Sequence, residues 1–157
     1  MADISYSTTA TELQGSQGVV AGKGDAHSPK ILVSTVEVAP SASGSTIKLA
    51  RIPSNMRISG QSRIYWDNLT TSGSPTLDVG LASVNSNITS DSTALSNGHA
   101  ISAADAGGEP LLDDIAFMGK FAWQNVTGQT TDPGGFLDVY GTIKDAATLG
   151  NTATVTA

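Results

Sequence analysis

The apolar residues of this chain fall into two regimes. In residues 1–30 they are isolated, as Ile4, Tyr6, Leu13 and the neighbours Val19 and Val20, among Ser, Thr and Gly, and the run 21–24 reads as flexible. That spacing supports neither an amphipathic helix nor a paired strand, so residues 1–30 read as an extended N-terminal arm. From residue 31 the apolar positions gather into short β-branched runs divided by turn residues. Residues 31–157 read as one β-sandwich domain.

Within that domain the runs 31–38 and 46–52 predict two strands, the second with Ile47 and Leu49 on one face, ended by Pro53, Ser54 and Asn55. In residues 56–66, Met56, Ile58, Ile64 and Trp66 take the even positions and Arg57, Gln61, Arg63 and Tyr65 the odd ones, the period of a half-buried strand with a bend at Gly60. Residues 76–84 alternate again, with Leu77, Val79 and Leu81 opposite Asp78, and the polar turn between the two runs predicts a hairpin. Residues 85–109 are dominated by Ser, Asn, Asp, Ala and Gly and read as a long loop, either a binding loop or one with its own packing, with room for one helical turn near 92–95. Further strands are expected at 111–118, 120–126, 136–143 and 152–156. Seven or eight short strands without a helical period predict an all-β fold, a jelly-roll-like antiparallel β-sandwich. Leu77-Asp78-Val79 recurs as Leu137-Asp138-Val139, too short a match to establish a duplication.

Composition narrows the function more than the fold. The 157 residues suffice for one domain with a real core and not for two. Charged residues are 14% against a typical ~25%, which is not the signature of disorder. The net charge is −6, and the eight Lys and Arg are scattered, so no basic stripe is present to neutralise nucleic-acid phosphates or an anionic membrane. No run approaches the ~20 apolar residues of a spanning helix. With no cysteine, disulfides, thiolate zinc sites and cysteine nucleophiles are excluded. Residues 1–17 lack the basic start and apolar run of a secretory signal, so the expectation is synthesis in a cytoplasm, with export only inside an assembly.

The chemistry-bearing residues do not assemble into a motif. His27 and His99 each lack a nucleophile or carboxylate at a recognisable spacing and read as arm and loop histidines. No Gly-x-Ser-x-Gly elbow occurs. Asp113 and Asp114, being adjacent, point to opposite faces of any strand, and Asp78 and Asp138 face outward on separate ones, which leaves no carboxylate pair for glycoside hydrolysis. Asp67 with Asn68, and Asn85 with Asn87 and Asp91, are oxygen donors suited to calcium and equally suited to turns. The sequons at Asn68, Asn87 and Asn125 have no secretory route to give them meaning. Arg51, Arg57 and Arg63 fall on or beside the second and third strands and form a candidate contact with an acidic partner or a second copy of the chain. The expectation is a non-enzymatic module with no cofactor and no metal site.

The run of residues 49–58, Leu-Ala-Arg-Ile-Pro-Ser-Asn-Met-Arg-Ile, followed by Tyr65-Trp66-Asp67, by 74–81, Ser-Pro-Thr-Leu-Asp-Val-Gly-Leu, and by 131–139, Thr-Asp-Pro-Gly-Gly-Phe-Leu-Asp-Val, resembles a family of small tailed-bacteriophage virion proteins. These stretches span most of residues 31–147. The motifs are structural ones, a strand ending in a proline turn and a hairpin, and they mark no active site. The resemblance implies a capsid decoration, or cement, protein on the outer surface of the head. Such proteins are β-rich, often homotrimeric, and partnered by the major capsid protein and by further copies of themselves. Tail, neck or head-fibre parts are the neighbouring alternatives, with a carbohydrate- or receptor-binding module behind them. An arm carrying Ile4, Tyr6, Leu13, Val19 and Val20 is suited to gripping neighbouring subunits, where many copies add avidity.

Overall fold

The structure, a computed structural model, describes residues 3–4, 32–38, 43–67, 73–84, 88–102, 105–145 and 153–157. The described residues form nine strands: β1 (Asp3–Ile4), β2 (Thr35–Val38), β3 (Thr46–Pro53), β4 (Arg63–Trp66), β5 (Thr76–Ser83), β6 (Asp91–Ala100), β7 (Asp105–Pro110), β8 (Phe136–Lys144) and β9 (Ala153–Thr156). One sheet has the order β1-β3-β8-β5-β6 and the other β2-β9-β4-β7. Every pairing is antiparallel except β1, which lies parallel to β3. The all-β sandwich expected from the periodicity is the fold.

The pairing is nested. β2 pairs with β9, β3 with β8, β4 with β7 and β5 with β6, so the eight longer strands close like a hairpin folded over on itself. The pairs β5 with β8 and β4 with β9 then join the nested hairpins into two sheets.

The core between the sheets is built from alternation. Ile47 and Leu49 of β3, Leu77, Val79 and Leu81 of β5, and Leu137, Val139 and Ile143 of β8 face inward from one sheet; Val36, Val38, Ile64, Trp66 and Val155 face them from the other. Fully burying each such side chain contributes about 1.5–3 kcal/mol. These are the places where short apolar runs predicted strands correctly, 152–156 included: β9 sits between β2 and β4.

Four local expectations are corrected. β4 and β5 do not form a hairpin, because they lie in different sheets. Alternation shows that one face of a strand is buried, not which sheet it belongs to, and these two strands bury the same interior from opposite sides. The strand expected over 56–66 is reduced to β4. Arg57 makes only an isolated bridge to Phe121, and Ser62 N–H closes a turn onto the Ser59 carbonyl. Residues 111–118 and 120–126 are not strands; they hold 3-10 turns at Ile115–Phe117 and Ala122–Asn125. The Asp114 carboxylate accepts the Ala116 N–H at 2.8 Å, and a capping carboxylate next to a short apolar triplet favours a turn over a ladder. The segment expected as a loop over 85–109, finally, contains β6 and all of β7 but its last residue, Pro110.

Candidate functional site

β6 shows how a Ser- and Asn-rich segment becomes a strand. Its partner β5 supplies only four register pairs, and between Val79 with Ser96 and Leu81 with Asp91 the two strands lose step. Side-chain carboxylates supply what the ladder does not. Asp78 Oδ1 accepts the Gly98 N–H at 3.0 Å, Asp113 Oδ2 the Asn97 N–H at 2.7 Å, and Asp91 Oδ1 the Thr93 N–H at 3.0 Å. The start of β6 passes so close over β5 that a Cβ on Gly80 would lie 2.0 Å from the Asp91 carbonyl oxygen. Only glycine permits that approach.

Gly98 makes the next step. Its φ of 80° inserts an extra residue, so that Leu77 and Val79, two apart on one face of β5, stand opposite His99 and Ser96, three apart. Ser96 and His99 therefore share the inner face. There Ser96 Oγ lies 2.7 Å from His99 Nε2, while His99 Nδ1 bonds Glu109 Oε2 of β7. A carboxylate only accepts, so Nδ1 carries a proton, and in a neutral imidazole Nε2 accepts the serine hydroxyl. The imidazole packs at a tilt on Trp66, with ring centroids 5.6 Å apart.

A serine, a histidine and a carboxylate in this order form the relay that activates a serine nucleophile. Access decides what it does here. Ser96 is 0% exposed and His99 5%, so the hydroxyl faces packed core, and only Glu109 reaches solvent. The relay ties the edge strand of one sheet to the edge strand of the other. The reading of His99 as a loop histidine is thus corrected to a buried inter-sheet connector. The only sequence signal was the pairing of His99 with Gly98, whose bulge brings residues at unhelpful spacing onto one face.

The predicted arginines are not brought together. Arg51, on the outer face of β3, forms a forked pair with Asp138 of β8, Nε to Oδ1 at 2.7 Å and Nη2 to Oδ2 at 3.3 Å. Arg57 donates to the Gly119 carbonyl and lies over the Phe121 ring at 4.5 Å. Arg63 belongs to the other sheet and donates to the Gly108 carbonyl at 3.2 Å. Of the arm residues, Ile4 lies in β1, in register with Ile47; Tyr6, Leu13, Val19 and Val20, like His27, lie outside the described residues.

The oxygen-rich loops are engaged with the backbone. Asp67 accepts the Thr154 N–H at 3.2 Å, and Asp91 accepts the Thr127 N–H at 2.9 Å besides Thr93. Burial alone would raise the Asp91 carboxyl, but the donors from Thr127 and Thr93 outweigh it and hold it below its ordinary value of 3.8. Burial, with the Asp91 charge added, raises the nearby Tyr140 phenol above 10.0. Asn68, Asn85 and Asn87 lie outside the described residues. Asn125 is buried, closing that sequon in the folded chain, and its side-chain amide has no hydrogen-bond partner among the described residues.

Besides Val33 and Tyr65, the exposed large apolar side chains among the described residues fall at two places. On the outer face of the first sheet Phe136 stands opposite Pro53, and Val84 bonds the Phe136 carbonyl, so the three form a row beside the Arg51–Asp138 pair. At the 3-10 turns Ile115 is 82% exposed, with Met118 beside it. No protein-family model, curated protein or solved structure matches the chain.

Proposed function

We propose that this chain is a structural component of a tailed-phage particle, a head decoration or cement protein that binds the major capsid protein shell from outside and stabilises it as a homotrimer. The observation that carries the reading is the sealed relay. Among the described residues, the constellation with catalytic geometry is spent on joining two sheets, and the carboxylates around it are spent on backbone N–H groups. Surface contact is left as the means of action, through exposed Tyr65, Phe136, Ile115 and Arg63.

The sandwich is read more finely as a jelly roll, because nested pairing of the eight longer strands, β2 with β9, β3 with β8 and so inward, matches that architecture's strand order. Jelly rolls serve capsid and lectin domains alike, so the fold alone does not choose between them. The resemblance of residues 49–58, 65–67, 74–81 and 131–139 to tailed-phage virion proteins favours the capsid. A net charge of −6 suits the outer surface better than packaged DNA.

Quantitative mass spectrometry of purified particles tests the assignment. Hundreds of copies per particle are expected; six or twelve would move the protein to the neck or tail, and none would remove it from the particle. Deleting residues 1–30 is expected to leave a folded domain that no longer binds shells. Full shell binding by that truncation would contradict a gripping role for the arm. Phe136 beside Arg51 and Asp138 also has the make-up of a small sugar platform, and a low-micromolar hit on a glycan array would favour that second reading.

A further inference from the structure

We propose that β1 is an exchangeable strand, and that the β3 edge it occupies also accepts the N-terminal strand of a second copy of this chain. The inference deepens the self-association part of the proposed function and rests on it.

Three observations carry it. Among the described residues, β1 is the one parallel addition to an otherwise antiparallel sandwich, paired as Asp3 with Thr46 and Ile4 with Ile47, at the outer edge of the first sheet. A strand that short adds little of its own and is readily released from a sheet edge. Second, residues 5–31 separate it from Leu32, a stretch whose contour spans up to about 90 Å. A domain of this length is on the order of 40 Å across, so the same strand can reach a neighbour's edge. Third, β3 is itself well anchored: Ile47 and Leu49 are fully buried, and β8 pairs along its whole other side. The acceptor edge persists when the strand leaves.

The ladder contacts are the same within one chain or between two, as in any exchange of identical elements. What differs is concentration. A tethered strand competes at an effective concentration of roughly millimolar order, and copies held side by side on a repeating surface approach that value. Dilute protein keeps β1 at home; crowded protein trades it.

The chain has no cysteine, which makes the test direct. Two single variants, Asp3→Cys and Thr46→Cys, are mixed in equal amounts and oxidised over a concentration series. Paired strand residues sit within disulfide range. The expected result is a disulfide-linked heterodimer on non-reducing gels, its yield rising with concentration. It should form at least about tenfold faster than with Glu37→Cys, an exposed acceptor on the opposite sheet's edge. Adding Ile4→Pro to the Asp3→Cys chain, which removes a ladder donor, should suppress it. Equal rates with both acceptors overturn the proposal. So does a double variant, Asp3→Cys with Thr46→Cys, that closes only within its own chain at every concentration. Shell binding by wild-type protein is scored in parallel: no heterodimer with intact shell binding removes strand exchange alone, and heterodimer without shell binding removes the decoration role alone.

Discussion

Strand β5 meets β8 on one side in eight consecutive register pairs, from Thr76 with Lys144 to Ser83 with Leu137. On its other side it meets β6 in four pairs broken by two register shifts. The first contact is a regular ladder over an apolar face. The second is a polar segment held by Asp78, Asp91 and Asp113, with two glycines where backbones crowd or reverse. Hydrophobic burial fixes the centre of the sandwich, and charge-assisted hydrogen bonds to single N–H groups fix its margin.

The largest expected effect lies on the regular side. Leu77→Ala opens a cavity among fully buried residues and should cost about 2–5 kcal/mol in urea unfolding, with β6 and β8 losing amide protection together. On the irregular side, Gly80→Ala forces a Cβ against the Asp91 carbonyl and should cost about 1–3 kcal/mol. Its hydrogen-exchange signature should be selective, with β6 amides deprotected and the β5–β8 ladder retained. Uniform loss in that variant would erase the distinction between the two sides.

Asp78→Ala leaves the Gly98 N–H without its acceptor and Lys144 without the carboxylate 3.6 Å away; about 1–3 kcal/mol is expected, concentrated at 97–99. The smallest effect is a pH dependence. The Asp91 carboxyl is held below 3.8 in the fold, so its contribution is present above that value and is lost as pH falls below it. Asp91→Asn should flatten that acid limb of the stability profile. An unchanged limb would mean that Thr93 and Thr127 do not depend on the carboxylate.

Legibility in the sequence follows the same division. Residues 46–52, 76–84 and 136–143 announced their strands because alternation is a signal of the burial that holds them. β6 announced nothing: its bonding partners Asp78 and Asp113 lie up to 20 positions away, and no local pattern encodes a distant carboxylate. The relay was hidden for a related reason. Ser96 and His99 belong to opposite faces of a regular strand and share one only through the Gly98 bulge, while Glu109 arrives from the other sheet. The three arginines made the converse error, since nearness along the chain suggested a patch that alternation between two sheets takes apart.

That the molecule acts through its surface and not through its buried serine is the central claim, and a map of purified particles tests it most directly. Density for this sandwich is expected on the outside of the head, in contact with the major capsid protein, with Ser96 enclosed. Particles that lack the protein altogether, together with covalent labelling of Ser96 in the folded chain by a serine-directed fluorophosphonate, would contradict it.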